Sequence, residues 1–353
     1  MLKRFAFVLS FLFLIPFNVY AVDNSAASAI VMDCDTGIIL YEKNAYQERS
    51  VASTTKIMTA LLAVESKRLD QTVKITKEMI NVEGSSLGLK ENDELTLYDL
   101  TCGMMLTSGN DSANAVACFI SGSVESFSVL MNKRAEELKM KNTFFVTPSG
   151  LDEGNHHSTA YDMALLTAFA VKNKTFCDIV SKQSAQITVN NQKRTVYNHN
   201  RLLAMDSSIF GVKTGFTKKA GRCLVSAESY NGSKLVCVTL SCPDDWNDHI
   251  NLLNECEKKY KKISVSQSID IACVGAEHDT VKCSYSGEYS LLEEPVIKEY
   301  YYPFVYAPLK KGDTVGTAEI YCRDILIERL PIEADEDVNY AKQQFSTTSK
   351  VYG

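Results

Sequence analysis

The chain has 353 residues, 45% of them hydrophobic and 23% charged, with a formal net charge of −6. This is enough chain for two domains around a sizeable core, with the composition of a folded soluble protein. The acidic balance excludes a nucleic-acid surface and gives no general attraction to anionic lipid.

Residues 1–21 stand apart from the fold. Lys3 and Arg4 precede an apolar run from Phe5 to Phe17, and Val19-Tyr20-Ala21 supplies the cleavage positions. A secretory signal peptide cut after Ala21 is expected; the run is short for a membrane span, and Pro16 interrupts its end. The 11 cysteines are scattered, odd in number and without a Cys-x-x-Cys pair. Several, including Cys118, Cys223 and Cys237, sit in apolar patterns where cysteine acts as a small hydrophobe. Mostly buried free thiols are expected, and neither a zinc knuckle nor a redox site is supported.

Residues 28–44 read as a hairpin turning at Asp35-Thr36-Gly37. Ser53-Thr54-Thr55-Lys56 follows, at the head of a run of helix formers with Ile57, Leu61 and Val64 at helical spacing. Residues 70–95 are short and mixed, with Gly84-Ser85-Ser86 marking a loop. Thr96 and Asp99 have the form of a capping box opening a helix to about Leu106. That helix halts at Thr107-Ser108-Gly109-Asn110, and a second begins near Asp111 or Ser112 and runs to Ile120. Residues 124–140 are amphipathic, and another helix opens at Thr159 and runs to about Val171. The middle of the chain is therefore a helical block.

Strand patterns return after Lys182. Residues 209–215 form a short strand ending in small residues, and Asn231-Gly232 joins two β-patterned runs as a hairpin turn. A helix is expected from Trp246 to about Lys261, with the basic stretch 258–262 as its solvated end. Beyond Ser264 only short strands and turns appear, ending near residues 331–334.

Ser53 and Lys56 fall one helical turn apart, on one face. Taken alone, the pair reads as an N-cap serine with a solvated lysine. Two further motifs change that reading. Ser108-Gly109-Asn110 lies in a loop between helices, and Lys213-Thr214-Gly215 lies on a strand. In this order and on these elements, the three match the Ser-x-x-Lys, Ser-x-Asn and Lys-Thr-Gly set of penicillin-binding proteins and serine β-lactamases.

The surrounding sequence resembles the exported D-alanyl-D-alanine carboxypeptidases, the low-molecular-mass penicillin-binding proteins of peptidase family S11. The carrying stretches are 36–44, 52–63, Thr147-Pro-Ser-Gly-Leu-Asp152, Ser158-Thr-Ala-Tyr-Asp-Met-Ala164 and Gly211-Val-Lys-Thr-Gly-Phe-Thr217. The resemblance covers about residues 25–262 well. It reaches the family's C-terminal β domain more weakly, over about residues 265–335.

It implies an α+β fold: a β-lactamase/transpeptidase-like domain with an antiparallel sheet, flanking helices and a helical block, followed by a small all-β domain. The implied layout is signal peptide 1–21, serine D,D-peptidase domain 22–262, β-rich domain 263–335 and polar tail 336–353. The implied substrate is a peptidoglycan stem peptide ending in D-Ala-D-Ala, with β-lactams expected as covalent inhibitors. No cofactor, metal or nucleic acid is called for. Location is extracytoplasmic, in the cell wall or at the outer face of the membrane.

Hydrolysis through an acyl-enzyme needs a nucleophile, a base, a proton route to the leaving amine and an oxyanion site. The resemblance assigns Ser53 as nucleophile and Lys56 as base, its pKa pushed below the ordinary value of about 10.4 by burial and by Lys213. Ser108 relays a proton to the departing D-Ala. Asn110 holds the substrate amide or orients Lys56. Lys213 and Thr214 suit the terminal carboxylate, Gly215 admits the substrate along the strand, and the N–H groups of Ser53 and Phe216 form the oxyanion hole. His156 is read as shaping a loop near the site, since no His-Glu-x-x-His pattern supports a metal.

The alternatives are a serine β-lactamase and a D,D-endopeptidase. Residues 148–155 lack a clear Glu-x-x-x-Asn arrangement for a lactamase, so penicillin is expected to acylate and leave slowly. The C-terminal stretch from Glu333 is acidic and then polar, without the apolar stripe of a membrane-surface helix, so a flexible tail with weak or absent C-terminal anchoring is expected.

Overall fold

The computed structural model describes residues 22–341. The expected signal peptide and the tail beyond Ala341 lie outside the described residues.

The chain opens with a hairpin, β1 (Ser28–Asp33) and β2 (Ile39–Lys43). A 3₁₀ turn over Ala52–Thr55 leads into α1 (Lys56–Glu65). A small excursion follows, with β3 (Thr72–Lys74), the one-turn α2 (Lys77–Ile80) and β4 (Glu94–Thr96). The helical block comprises α3 (Leu97–Thr107), α4 (Asn110–Ser121), α5 (Val124–Glu137), α6 (Ala160–Ala170) and α7 (Lys174–Val180). A hairpin of β5 (Ser184–Val189) and β6 (Gln192–Tyr197) and the short α8 (Leu202–Met205) precede three long strands. These are β7 (Ile209–Thr217), β8 (Gly221–Tyr230) and β9 (Ser233–Leu240), and α9 (Asp245–Glu257) follows them. The remainder is all strand: β10 (Lys261–Val274), β11 (Thr280–Leu291), β12 (Val296–Tyr301), β13 (Phe304–Tyr306), β14 (Thr314–Cys322) and β15 (Ile325–Ala334).

The first sheet is antiparallel, in the order β2-β1-β9-β8-β7. Alternation along its strands sends side chains to two different cores. Ile30, Met32, Val225, Ala227, Val236 and Val238 face the helical block. Ala29, Val31, Leu224, Leu235 and Cys237 face Leu252, Leu253 and Cys256 of α9. The sheet is thus buried on both sides, and β7 is left as an edge strand beside the helical block.

The second sheet runs β12-β14-β15-β11-β10-β13. Only Tyr302 and Pro303 separate β12 from β13, which lie at opposite edges, so the sheet curls to bring its edges together. It has its own apolar interior, including Val281, Cys283, Ala318, Ile320 and Ile332. Leu291 and Cys322 also join the core beneath α9, which ties the two sheets together.

Two expectations are corrected here. The helix after Trp246 stops at Glu257, and Lys261 and Lys262 already belong to β10, because their alternation continues into the strand pairing with β11. The polar tail does not start at residue 336. Val338 is buried and bridges Leu309, Tyr340 bridges Ala276, and Asp337 accepts a bond from the Lys311 N–H. One apolar side chain in an acidic run is enough to dock that run. All 11 cysteines are free thiols, nine of them buried. Among the described residues, no single helix is long and apolar enough to cross a membrane.

Candidate active site

The three motifs meet where the start of α1, the α3–α4 junction and edge strand β7 come together. Ser53 sits in the tight turn ahead of α1, and Lys56 is the first residue of the helix itself. The turn is unusual at its entry, since Ala52 adopts a left-handed φ of 48°. Ser108, ending α3, is also left-handed at 63°. Non-glycine residues in this region carry a cost of about 1–2 kcal/mol each, and such strain gathers at functional sites.

The turn is held from two sides by glycines. A side chain on Gly215 would place its Cβ 3.0 Å from the Ser53 nitrogen and 3.1 Å from that of Thr54. On the other side, a Cβ on Gly150 would lie 1.9 Å from the Ala52 carbonyl oxygen. Strand and loop therefore press directly on the backbone of the nucleophile turn.

Lys56 is fully buried. Its Nζ lies 2.9 Å from Ser53 Oγ, 2.8 Å from Asn110 Oδ1 and 2.7 Å from the Ser149 carbonyl oxygen. The Asn110 amide is oriented by its Nδ2, which donates to the Glu83 carbonyl at 2.7 Å, so Oδ1 must face the lysine. A charged lysine has three hydrogens to donate, and a neutral one has two and a lone pair. Asn110 Oδ1 and the Ser149 carbonyl can only accept, so they take two hydrogens in either state. The third position points at Ser53 Oγ. In the neutral amine that position is the lone pair, aimed at the hydroxyl proton. Burial first, and the charge of Lys213 second, hold Lys56 well below the ordinary lysine range, while Asp111 opposes them.

Lys213 on β7 is also buried, and burial lowers it to about 7. Its Nζ donates to the Thr214 carbonyl at 2.9 Å. Alternation along β7 puts Lys213 and Gly215 toward the nucleophile turn, and Thr214 and Phe216 on the other face. The Phe216 ring is 66% exposed, so any role it has at the nucleophile belongs to its backbone. Because β7 is an edge strand, one row of its N–H and C=O groups has no strand partner and can pair with an extended peptide.

His156 supports this arrangement. Its Nδ1 accepts from the Val146 N–H at 3.0 Å, which leaves the proton on Nε2 to be donated to Thr55 Oγ1 at 2.9 Å. Burial lowers its pKa to about 4, so the ring is neutral and serves as a fixed link between the loop and the nucleophile turn. Sequence reasoning missed two participants. The Ser149 carbonyl is a backbone group, for which only the Pro148-Ser149-Gly150 turn gave a hint. Asp111 was read simply as the start of a helix.

With this geometry in view, similarity to known proteins becomes informative. The family model described as D-alanyl-D-alanine carboxypeptidase matches residues 16–244. The chain is 30% identical over 340 residues to the D-alanyl-D-alanine carboxypeptidase DacF of Bacillus subtilis, covering 90% of this chain and 87% of the relative. It is 30% identical over 367 residues to DacC of Escherichia coli, covering 93% and 90%. Penicillin binding protein 5 from Haemophilus influenzae superposes with a TM-score of 0.65 at 26% identity, over 90% of this chain and 98% of that one. The D-alanyl-D-alanine carboxypeptidase of Mycobacterium tuberculosis gives a TM-score of 0.63 at 30% identity, over 66% and 90%. The chain belongs to the D-alanyl-D-alanine carboxypeptidase family, the S11 serine peptidases.

Proposed function

We propose that the protein removes the terminal D-alanine from peptidoglycan stem peptides through an acyl-enzyme on Ser53. The observation that carries this reading is the Lys56 amine, with two of its positions committed to acceptors and the third facing Ser53 Oγ. The substrate lies extended along the open edge of β7, its terminal carboxylate against Lys213 on one face and within reach, around that edge, of the half-buried Thr214 hydroxyl on the other. A carboxylate arriving there favours the charged form of Lys213, whose burial otherwise brings it to about 7. The resulting cation in turn favours neutral Lys56, so substrate binding prepares the base.

Ser53 Oγ then attacks the penultimate D-Ala carbonyl carbon as its proton passes to Lys56 Nζ. The N–H groups of Ser53 and Phe216 receive the developing oxyanion. The C–N bond breaks, and the departing D-Ala amine takes a proton by way of Ser108. Water hydrolyses the ester and frees Ser53. β-Lactams enter by the same acylation. Among the described residues, no carboxylate hydrogen-bonds Ser53 or Lys56, so the penicilloyl ester has no evident base to speed its hydrolysis. Residues 1–21 would deliver the enzyme to the cell wall or the outer face of the membrane.

The test is D-Ala release from a muramyl pentapeptide together with covalent labelling by penicillin. Ser53→Ala is expected to abolish both, and retention of either defeats the proposal.

A further inference from the structure

We propose that Asp111 is a positioning residue, whose buried carboxylate clamps the loop of residues 83–89 against α4 and through it fixes Asn110 and Lys56. The inference rests on the function proposed above and adds a member that the three motifs do not contain.

Asp111 is only 2% exposed and, among the described residues, makes no ion pair. Its oxygens are instead filled by donors from one loop. Oδ1 accepts from the Leu87 N–H at 2.9 Å. Oδ2 accepts from the Ser86 hydroxyl at 2.6 Å and from the N–H groups of Gly88 and Leu89 at 3.0 and 3.2 Å. The Ser112 N–H adds a further bond to Oδ1. A buried carboxylate met by this many donors is a strong anchor, because removing it strands several N–H groups at once. Its place in the first turn of α4 adds the favourable end of the helix dipole.

The anchored loop reaches the catalytic lysine in two steps. The Ser85 carbonyl accepts from the Asn110 N–H, and the Glu83 carbonyl accepts from Asn110 Nδ2, both at 2.7 Å. Asn110 Oδ1 then holds Lys56 Nζ. The fit is close throughout. A Cβ on Gly84 would lie 2.8 Å from Asn110 Nδ2, one on Gly109 would lie 2.9 Å from the Leu87 nitrogen, and one on Gly103 would lie 2.4 Å from Leu87 Cδ2. Asp111 also acts on Lys56 by charge, opposing the lowering due to burial and Lys213. Among the described residues, the charged groups that act on Lys56 are Lys213 from β7 and Asp111 from α4.

Two variants separate the roles. Asp111→Asn keeps the size but turns an amide toward the loop's donors and removes the charge. Ser86→Ala, at an exposed position, removes one clamp bond and leaves the charge. The readout is the rate of acylation by a fluorescent penicillin across pH, with thermal melting alongside. Asp111→Asn should acylate at least 30-fold more slowly at its best pH, with the midpoint of the acid limb moved to lower pH. Ser86→Ala should slow acylation by about threefold without moving the midpoint. A loss of rate without movement of the midpoint for Asp111→Asn, or acylation within threefold of the parent, overturns the proposal. If Asp111→Asn does not fold, Ser86→Ala decides, and a change below 1.5-fold overturns it. The parent and Ser53→Ala are run in parallel. An unlabelled parent would instead defeat the function proposed for Ser53.

Discussion

The two sheets bury polar groups in very different ways. Among the described residues, every buried polar or charged side chain lies between Asn24 and His249, and none lies in β10–β15. The second sheet is filled with Val, Ile, Ala, Cys and one tyrosine, and it leaves Tyr300, Tyr302 and Tyr306 on its surface. Each buried polar group costs roughly 1–3 kcal/mol unless it is bonded, so a core that holds many must satisfy them by specific geometry. Lys56, Asn110, Asp111 and His156 are satisfied in this way and converge on the nucleophile turn. On the function proposed above, the chemistry lies with the first sheet and its helices, and the second sheet has an apolar interior.

The sharpest way to break that division is at its centre. Lys56→Ala removes the amine that lies 2.9 Å from Ser53 Oγ, and acylation should fall by about 10³-fold or more, within reach of what a positioned base supplies. Stopped-flow acylation by penicillin measures it, and a loss under tenfold removes Lys56 from the base role.

Gly215→Val comes next. At Gly215 space is the constraint, since its Cβ would meet the backbone nitrogens of Ser53 and Thr54, which cannot swing aside as a flexible side chain would. The nucleophile turn must move, and a displacement of this kind costs about 100-fold. The same acylation assay checks it. A normal rate would show that the turn tolerates displacement.

These residues differ in how far the sequence announced them. The three motifs that hold Ser53, Lys56, Asn110, Lys213 and Gly215 could be read because each is local and its element type shows in the residues around it. The hairpin at Asn231-Gly232 was legible for a similar reason: both residues take positive φ, 47° and 88°, as the turn demands. The bond from Thr55 to His156 spans 101 positions, and the Lys56 bond to the Ser149 carbonyl spans 93. Neither has a periodic signature. Asp111 was hidden by its neighbour, because an acidic residue in a first helical turn is ordinary on its own. The signal that could have exposed it was the Gly84–Leu89 stretch, rich in N–H donors without a strand pattern to satisfy them.

Glu228 tests whether burial of polar groups in the first sheet always serves the site. It lies on the α9 face of β8, 1% exposed, with Oε1 unpartnered. Burial, then Glu257 and Asp206, push it from 4.5 up to about 8. Below pH 4.5 both folded and unfolded chains hold the proton, and its contribution is complete. As pH rises toward 8 the unfolded chain ionises while the folded one does not, so stability is lost through that interval. The slope is on the order of 1.4 kcal/mol per pH unit. Glu228→Gln should flatten this decline with little effect on acylation. Denaturant melts at pH 5 and pH 8 measure the difference, in which the groups common to both proteins cancel. Equal pH slopes would show that Glu228 keeps its charge when folded.

The smallest effect belongs to the second sheet. Tyr300 is 55% exposed and Tyr302 is 77% exposed, and no residue of β12 enters an apolar core. Replacing both tyrosines with serine removes surface without opening a cavity, so stability should change by less than about 0.5 kcal/mol each. D-Ala release from a soluble pentapeptide should stay within twofold of the parent, since among the described residues no buried polar link runs from β12 toward Ser53. A tenfold fall on that substrate would mean that the second sheet takes part in catalysis. A fall seen only on intact cell-wall sacculi would leave the chemistry with the first sheet and make the tyrosines a contact for the larger polymer.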